Sequence, residues 1–216
     1  MSDPYASLID DARSFFAALS RNNNRDWWQE HKDGYDTTLK TPALALLDEM
    51  CAPLAEITGE AITPKLFRPY RDVRFSKDKT PYNTHLHMMW SVAGGGRQDP
   101  VFFFGIAPDY VTVGAGTMGF DKPVLEDWRK FVDLDGPRVA GIIDSVAAHG
   151  YAPRAPDLKR VPPAFAADHP QGELLKYKGF VMSGDMPRKG AVHSDLRAAF
   201  TQLWPLNDLL LSIAAA

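Results

Sequence analysis

The sequence is poor in the residues that build covalent or metal-bound frameworks. It holds one cysteine, Cys51, in 216 residues, which excludes an internal disulfide and a cysteine-rich zinc site. Cys51 lies among Leu47, Met50 and Leu54, a setting typical of a small buried side chain rather than of a nucleophile.

Long apolar runs are also missing. No stretch approaches the roughly 20 apolar residues that cross a membrane as a helix, and the N-terminus "MSDPYASLIDDAR" lacks the basic start and apolar run of a signal peptide. A composition of 45% hydrophobic and 24% charged residues is ordinary for a globular protein. We therefore expect a cytoplasmic protein with no membrane association.

The hydrophobic spacing changes twice along the chain. Apolar residues recur at helical spacing up to Leu54, with Asn24 as a helix cap and Gly59 as a stop. Alternation with period two then runs from Leu66 to Val92 and predicts strands, and helical spacing returns after Asp121. Helices, antiparallel strands and helices in that order indicate an α+β fold, with a central antiparallel β-sheet flanked by N-terminal and C-terminal helices. Without repeats or a linker, residues 1–216 are predicted to form a single domain.

Prolines and glycines mark the expected boundaries. Pro108-Asp109 in "VFFFGIAPDYVTVGAG" predicts a tight turn between two strands. Pro137 is expected to start a new helix, and Pro205 to break the last one. The proline-rich stretch "YAPRAPDLKRVPPAFAADHP" is long for a loop in a compact domain, which favours a role in covering a site.

The stretch "FRPYRDVRFSKDKTPYNTH", Phe67 to His85, is unusually basic for this chain. Between Lys65 and Lys79 there are six basic and two acidic residues, a local charge of +4, whereas the whole chain carries −3 and the remainder therefore −7. This asymmetry favours a surface that binds a small anion, and arginine suits phosphate or carboxylate through its two-pronged guanidinium. A nucleic-acid binder would be basic over a wider face, which argues against that partner.

We interpret this stretch as a β-hairpin with one apolar and one polar face, because its side chains alternate. Asp78 is placed to close an Asx-type turn. The register that keeps the apolar faces together sets Ser76 opposite Pro81 and Asp72 opposite His85. The polar face then carries one patch of five side chains: Arg68, Asp72, Arg74, His85 and His87.

Arg71 is the exception, a cation on the predicted apolar face. A guanidinium removed from water needs a carboxylate partner or a bound anion, because burying an unpaired charge is very costly. Two interpretations stay open. The cluster is either a ligand site or a structural ion-pair network, since Arg68, Asp72 and Arg74 are close enough along one strand to neutralise one another.

The same residues carry a family resemblance. "RPYRDVRFSKDKTPY" fits the pattern R-x-x-R-D-x-R-F-x-x-[DN]-K-x-x-Y, by which the chain is identified as a member of domain-of-unknown-function family 2461. "FFAALSRNNNRDWWQEHKDGY" resembles the N-terminal segment of that family, and "LKRVPPAFAADHP" followed by "LLKYKGF" resembles its C-terminal segment. One departure is Ala164, where a glycine is expected. The resemblance implies one full-length domain in a soluble, bacterial-type protein, and it transfers no catalytic assignment.

A glycine motif invites a nucleotide interpretation that its context opposes. Gly114, Gly116 and Gly119 spell G-x-G-x-x-G after a strand, the dinucleotide fingerprint. That fingerprint needs its helix to begin within the glycines, whereas the cap here comes later, at Asp121, and the preceding strands look antiparallel. We predict no cofactor, and interpret the glycines as places where strand backbones approach closely.

Two histidines form a second short motif. His85 and His87 are two positions apart on a predicted strand and could share a metal ion with Asp72. The pattern is common among half-buried histidines, and we assign no metal.

The leading hypothesis is that the hairpin binds a small anionic ligand bearing phosphate or carboxylate. Its predicted ligand-binding residues are Arg68, Arg71, Arg74, Lys79 and Tyr82. If the site performs hydrolase or transferase chemistry, Asp72 and His85 are the candidate catalytic pair, because a carboxylate orients an imidazole and raises its basicity. The alternative is a non-enzymatic interaction module in which the cluster meets an acidic partner or only braces the fold. A pocket roofed by the loop around Phe165 would favour the ligand.

Overall fold

A computed structural model describes residues 4–188 and 190–216. The helices within these residues are α1 (Leu8–Arg21), α2 (Arg25–Tyr35), α3 (Thr41–Glu49), α4 (Cys51–Thr58), α5 (Lys122–Ala147), α6 (Gly172–Leu175) and α7 (Val192–Ala215). A π-helical turn, Asp36–Lys40, joins α2 to α3. No helix in the described part of the chain is both long enough and apolar enough to span a membrane.

Six strands form one antiparallel sheet between the N-terminal and C-terminal helices. They are β1 (Ala61–Leu66), β2 (Leu86–Ala93), β3 (Val101–Ile106), β4 (Val111–Thr117), β5 (Ala152–Pro153) and β6 (Phe180–Asp185). Their spatial order is β1-β2-β3-β4-β6-β5, and every neighbouring pair runs antiparallel. The predicted α+β architecture is confirmed.

The sheet has a buried face and a more open face, as alternation along a strand requires. In β2, Leu86, Met88 and Trp90 are buried, whereas His87 and Met89 are half-buried on the other side. Helices cover the buried face: the Trp90 indole nitrogen donates to the carbonyl of Leu47 in α3 at 2.9 Å, and Phe200 of α7 packs against Trp90 with ring centroids 5.4 Å apart. Buried side chains from Tyr5 to Ile213 belong to the same hydrophobic core.

Several local signals act as expected. The Asn24 side chain caps α2 by accepting from the Trp27 backbone N–H at 3.0 Å, which satisfies a donor that the helix leaves unpaired. Gly59 ends α4 with φ +73°, the left-handed conformation that glycine adopts without strain. The predicted turn at Pro108-Asp109 joins β3 to β4, and the Ala107 N–H donates to the Tyr110 carbonyl at 2.9 Å.

Proline interrupts the last helix less than the sequence predicted. α7 continues through Pro205 to Ala215, so the predicted break at Pro205 is wrong. Burial of Leu203, Leu206 and Leu209 holds both sides of the proline in the core, and tertiary packing offsets the missing backbone hydrogen bond. Near Pro137 the chain does break helical geometry, at Asp135 with φ −139° and ψ 43°, although helical turns lie on both sides within α5.

The proline-rich loop and the short helix α6 that follows it pack against α5. The Trp128 indole nitrogen donates to the Leu174 carbonyl of α6 at 3.1 Å, and His169 of the loop lies 3.2 Å from the Asp133 carboxylate. Phe165 packs against the core. The loop does not line the cleft described below, so its position gives no support to the ligand hypothesis.

Candidate functional site

The basic stretch departs from strand geometry sooner than predicted. Pairing of β1 with β2 ends at Leu66 opposite Met88. Beyond it, an isolated bridge joins Tyr70 to Tyr82, and the Arg71 N–H donates to the Pro81 carbonyl at 2.9 Å. We call residues 67–85 the arginine loop. The predicted first strand, Phe67–Phe75, is wrong, because β1 lies immediately before it.

The predicted hairpin register is also wrong. Arg71, rather than Ser76, lies opposite Pro81. From Leu66 to Tyr70 the first branch advances four residues, while the second advances six between Tyr82 and Met88, so the two branches do not stay in step. One continuous polar face therefore does not form, and the predicted patch divides into separate groups.

Arg71 has an internal carboxylate partner. Its Nη1 donates to Asp78 Oδ2 at 2.6 Å and to the Thr80 carbonyl at 3.0 Å, and it also contacts the Thr80 hydroxyl. Asp78 Oδ1 accepts from the Thr80 N–H at 3.0 Å, which is the predicted Asx-type turn. The Arg71 side chain is 24% exposed. Its burial is thus compensated within the protein, with no external anion required.

Two further contacts close the arginine loop on itself. Arg74 Nη2 donates to Asp72 Oδ2 at 2.7 Å, and Arg74 Nε donates to Asp72 Oδ1 at 3.0 Å. These hydrogen bonds hold the pKa of Asp72 below its usual range, and the nearby charge of Arg68 acts in the same direction. Lys79 Nζ donates to the Val73 carbonyl at 3.0 Å. Arg71, Arg74 and Lys79, all predicted ligand contacts, are therefore used to shape the loop.

We expect Asp78→Ala to loosen the arginine loop and speed its cleavage by trypsin after Arg74, Lys77 and Lys79. The backbone N–H of Thr80 and the Arg71 guanidinium hold the pKa of Asp78 at about 2, below its ordinary 3.8. The stabilisation that the Asp78 carboxylate gives the arginine loop is therefore fully present above about pH 3.8 and is lost as the pH falls through about 2. Asp168→Ala, at an exposed carboxylate outside the loop, is the control. Equal cleavage rates in the two variants would contradict the bracing role.

Tyr82 is an anchor in the core. It is 3% exposed, its ring stacks on Trp28 with centroids 4.5 Å apart, and burial raises the pKa of its hydroxyl. Asn23 fixes its backbone on both sides: Oδ1 accepts from the Tyr82 N–H at 3.1 Å and Nδ2 donates to its carbonyl at 2.8 Å. Tyr82 thus attaches the arginine loop to α2.

Arg68 lies apart from this network, at a cleft. The cleft has a volume of about 470 Å³ and lies where the start of the arginine loop meets α2 and the π-helical turn. Its wall is mostly apolar and aromatic, with a few charged groups. The lining residues are Trp28, Lys32, Tyr35, Asp36, Lys40, Leu44, Leu66, Phe67, Arg68, Pro69 and Tyr70.

The charges of the cleft are unbalanced. Lys40 lies 3.4 Å from Asp36, its carboxylate partner. Within the described residues, neither Lys32 nor Arg68 has a side-chain hydrogen bond or salt bridge, although Arg68 is near enough to Asp72 to lower that pKa. Three cations against one carboxylate leave the wall positive. The indole N–H of buried Trp28 likewise has no protein partner, an uncommon state for a buried donor.

Asp72 and His85, the candidate catalytic pair, have different partners within the described residues. Asp72 is engaged by Arg74, whereas the His85 ring stacks on His87 with centroids 3.6 Å apart. His87 Nε2 lies 2.7 Å from the Tyr110 hydroxyl. Burial, then the neighbouring His85, lowers the pKa of His87 to about 3, and burial also lowers the pKa of His85. Both rings are neutral at pH 7, so neither adds a positive charge for an anion.

The family assignment follows from comparison with known proteins. A family model described as "Conserved hypothetical protein (DUF2461)" matches residues 11–208, most of the chain. The chain belongs to the DUF2461 family. A search among curated proteins finds no match.

In this DUF2461 member, sequence reasoning missed the α2 side of the cleft. Lys32, Asp36 and Lys40 recur every four positions, a spacing that places side chains along one helical face. Trp28 precedes them at the same interval. This row of three charged residues after a tryptophan is the pattern from which the α2 side of the cleft could have been predicted. The prediction was placed in the arginine loop instead, because the charges there are more closely spaced.

A second cavity, of about 220 Å³, lies between the sheet and α7. Asp185 and Asp195 line it, so its charge is opposite to that of the Arg68 cleft and does not suit an anion. Among the described residues, no three His, Cys, Asp or Glu side chains gather closely enough to hold a metal ion.

Proposed function

We propose that this DUF2461 protein binds a small amphipathic anion, a phosphate or carboxylate joined to an apolar or aromatic body, in the cleft beside Arg68. The observation that carries the proposal is a pair of cations on a mostly apolar wall, Lys32 and Arg68, whose side chains have no hydrogen bond or salt bridge within the described residues. Of the three arginines predicted to bind the anion, this proposal keeps only Arg68.

The cation pair supplies the charge recognition. Arg68 and Lys32 come from different elements, so their charges converge on the cleft from the arginine loop and from α2. A guanidinium offers two parallel donors to a phosphate or carboxylate, and hydrogen bonds to charged groups contribute about 1.5–3 kcal/mol each. Lys40 is less available, because it already faces Asp36.

The shape and composition of the cleft supply the second half of recognition. Small-molecule sites are commonly cavities of about 300–1,000 Å³ with mostly apolar walls and few polar groups, and about 470 Å³ lies within this range. Leu44, Phe67 and Tyr70 line the cleft with exposed side chains, and the buried Trp28 and Tyr35 lie in the same wall. These surfaces suit a flat apolar body better than they suit inorganic phosphate.

For the rest of the cluster, the contacts favour the structural alternative. Arg71, Arg74 and Lys79 each have partners inside the arginine loop. We therefore assign these three to bracing, and Tyr82 to anchoring. Their effect on the ligand is indirect, because the braced loop presents Arg68.

A thermal-shift titration tests this function. The probes are phenyl phosphate and phenylacetate, compared with inorganic phosphate and with uncharged benzyl alcohol. We expect stabilisation by the two amphipathic anions, and a loss of affinity of about tenfold to a hundredfold in Arg68→Ala, the equivalent of about 1.5–3 kcal/mol. Lys32→Ala should have a smaller effect in the same direction.

Two control variants separate the cleft from general charge. Arg21→Ala removes an exposed arginine at the end of α1, and Arg160→Ala removes an exposed one from the proline-rich loop. Both should bind the probes nearly as the wild type does. Binding that survives Arg68→Ala and Lys32→Ala together, or that is lost in Arg160→Ala alone, would overturn the assignment to the cleft.

A further inference from the structure

The open face of the sheet carries a histidine pair that the proposed function does not use. His85 immediately precedes β2 and His87 lies within it, so both project to the same side. Their rings are nearly parallel, with centroids 3.6 Å apart and an interplanar angle of 13°.

The ring nitrogens of this pair are largely uncommitted. Within the described residues, His87 Nε2 lies 2.7 Å from the Tyr110 hydroxyl, and no other nitrogen of either ring has a hydrogen-bond partner. None of these free nitrogens is among the buried unpaired atoms, so they reach solvent. Two imidazoles in contact thus present unpaired nitrogens to the same side of the sheet.

The position of His87 is fixed by its surroundings. Gly105 lies opposite it in β3, and a Cβ at that glycine would lie 3.1 Å from His87 Cδ2 and 2.9 Å from the Phe103 ring. Phe67 and Phe103 pack edge-on around the imidazole, with centroids 6.3 and 4.9 Å away. The bare glycine and the two aromatic rings form a recess that holds the imidazole.

Tyr110 is held in turn by the β3–β4 turn. The Ala107 N–H donates to the Tyr110 carbonyl, and Arg13 of α1 donates to the Pro108 carbonyl at 2.7 Å. When the Tyr110 hydroxyl accepts from Nε2–H of His87, Nδ1 carries no proton and is free to act as a ligand.

We propose that His85 and His87 chelate a divalent transition-metal ion such as Zn²⁺, Ni²⁺ or Cu²⁺, with Nδ1 of His87 and one ring nitrogen of His85 as ligands. Imidazole is a preferred donor for these ions. His87 stays in its recess, and the His85 side chain, whose ring nitrogens have no partner within the described residues, rotates out of the stack to bring one nitrogen beside Nδ1 of His87. Tyr110 is a positioning residue that orients His87. Water completes the coordination, because the described residues supply no carboxylate or thiolate beside the pair.

Long-range proton–nitrogen NMR of the imidazoles, on the untagged wild-type protein, tests this directly. The chain has six histidines, and one equivalent of ZnCl₂ should shift the ring nitrogens of two of them. Calorimetric titration with ZnCl₂ and NiCl₂ should give one ion per chain, and CuCl₂ should bind more tightly than either, following the usual order of divalent affinities. Zinc-induced shifts spread over other histidines, or no binding at millimolar metal, would overturn the proposal.

Variants locate the ligands. His85→Ala and His87→Gln should each abolish the one-to-one binding, whereas His149→Ala, at an exposed histidine after α5, should leave it intact. Tyr110→Phe should lower the affinity about tenfold, the usual effect of removing a partner of a metal-bound histidine, and should leave the stoichiometry unchanged. If His87→Gln fails to fold, His85→Ala and the wild-type spectra still decide. Retention of the full affinity in His85→Ala would show a stacked pair without a metal function.

Discussion

Replacing Gly116 by alanine is expected to lower the free energy of unfolding by about 3 kcal/mol or more, because backbone strain and overlap each cost about 1–3 kcal/mol. Gly116 lies in β4 between β3 and β6, with φ +129°, where side chains are rarely tolerated. An added Cβ would overlap the carbonyl oxygen of Phe180 and lie 2.8 Å from Cα of Val181. To relieve this overlap, β4 and β6 would have to move apart.

Gly119→Ala is the matched control. It belongs to the same G-x-G-x-x-G motif, but it is exposed, and a Cβ there would have nothing within 4 Å. A surface substitution of this kind changes stability by about 0.5 kcal/mol or less. Urea unfolding followed by circular dichroism measures both variants. Equal stabilities would contradict the close approach of β4 and β6.

The structure also shows what the glycine motif does for the fold. The sequence interpretation was that its glycines admit close strand packing, and Gly116 meets β6 in that way. β4 runs antiparallel to both neighbours, so the motif does not begin a βαβ unit. The glycine spacing alone is compatible with a dinucleotide site and with close strand packing. The antiparallel orientation of the preceding strands distinguishes the two.

Signals confined to a few residues predicted the structure well. The Asn24 cap, the left-handed Gly59 and the turn at Pro108-Asp109 each depend on backbone chemistry within four residues. Alternation in β2 likewise depends on neighbours along the strand. From such signals the α+β class could be derived, because the class requires only element type and order.

The arginine loop could not be derived in the same way. Its geometry depends on Tyr82 stacking on Trp28 and bonding to Asn23, both more than 50 positions earlier in the chain. Period-two alternation continued through the stretch, but these long-range contacts decided where pairing stopped. A pattern of strand spacing therefore predicted a hairpin whose register the aromatic anchor does not allow.

For the candidate site, the sequence predicted a cluster of positive charge but could not show which arginines are paired with carboxylates. Arg68, Arg71 and Arg74 are equivalent in a one-dimensional pattern. Only the three-dimensional structure shows that Asp78 pairs with Arg71 and Asp72 with Arg74, whereas Arg68 lies at the cleft. An unpaired guanidinium beside a cavity is the property that distinguishes a binding residue from a brace, and it is a property of three-dimensional distance.

Trp28→Ala is expected to lower the free energy of unfolding by about 3–5 kcal/mol, as is usual when a large buried aromatic side chain is removed. Trp28 is 1% exposed, and its ring packs against Tyr82, Tyr35 and Tyr70 at centroid distances of 4.5, 5.1 and 5.8 Å. The resulting cavity would adjoin the cleft and detach the arginine loop from α2. Stabilisation by phenyl phosphate should therefore be lost as well.

Trp27→Ala is the control one residue away. Trp27 is half-buried, and its ring stacks on exposed His31 with centroids 3.9 Å apart, so much of its surface is already near water. Its removal should cost clearly less than that of Trp28, in urea unfolding followed by circular dichroism. A larger loss in Trp27→Ala would show that the α2 side of the cleft is held differently from the arrangement described here.

Trp28→Phe separates packing from hydrogen bonding. The Trp28 N–H has no hydrogen-bond partner in the part of the chain that the structure describes, so the substitution breaks no hydrogen bond seen there, and a phenyl ring retains much of the contact with Tyr82. Stability should fall less than in Trp28→Ala. The indole nitrogen is buried and does not face the cleft, so phenyl phosphate affinity should stay close to that of the wild type, with Arg68 and Lys32 providing the polar recognition. A fall of about tenfold, which corresponds to about 1.4 kcal/mol, would show instead that the ligand accepts a hydrogen bond from the indole.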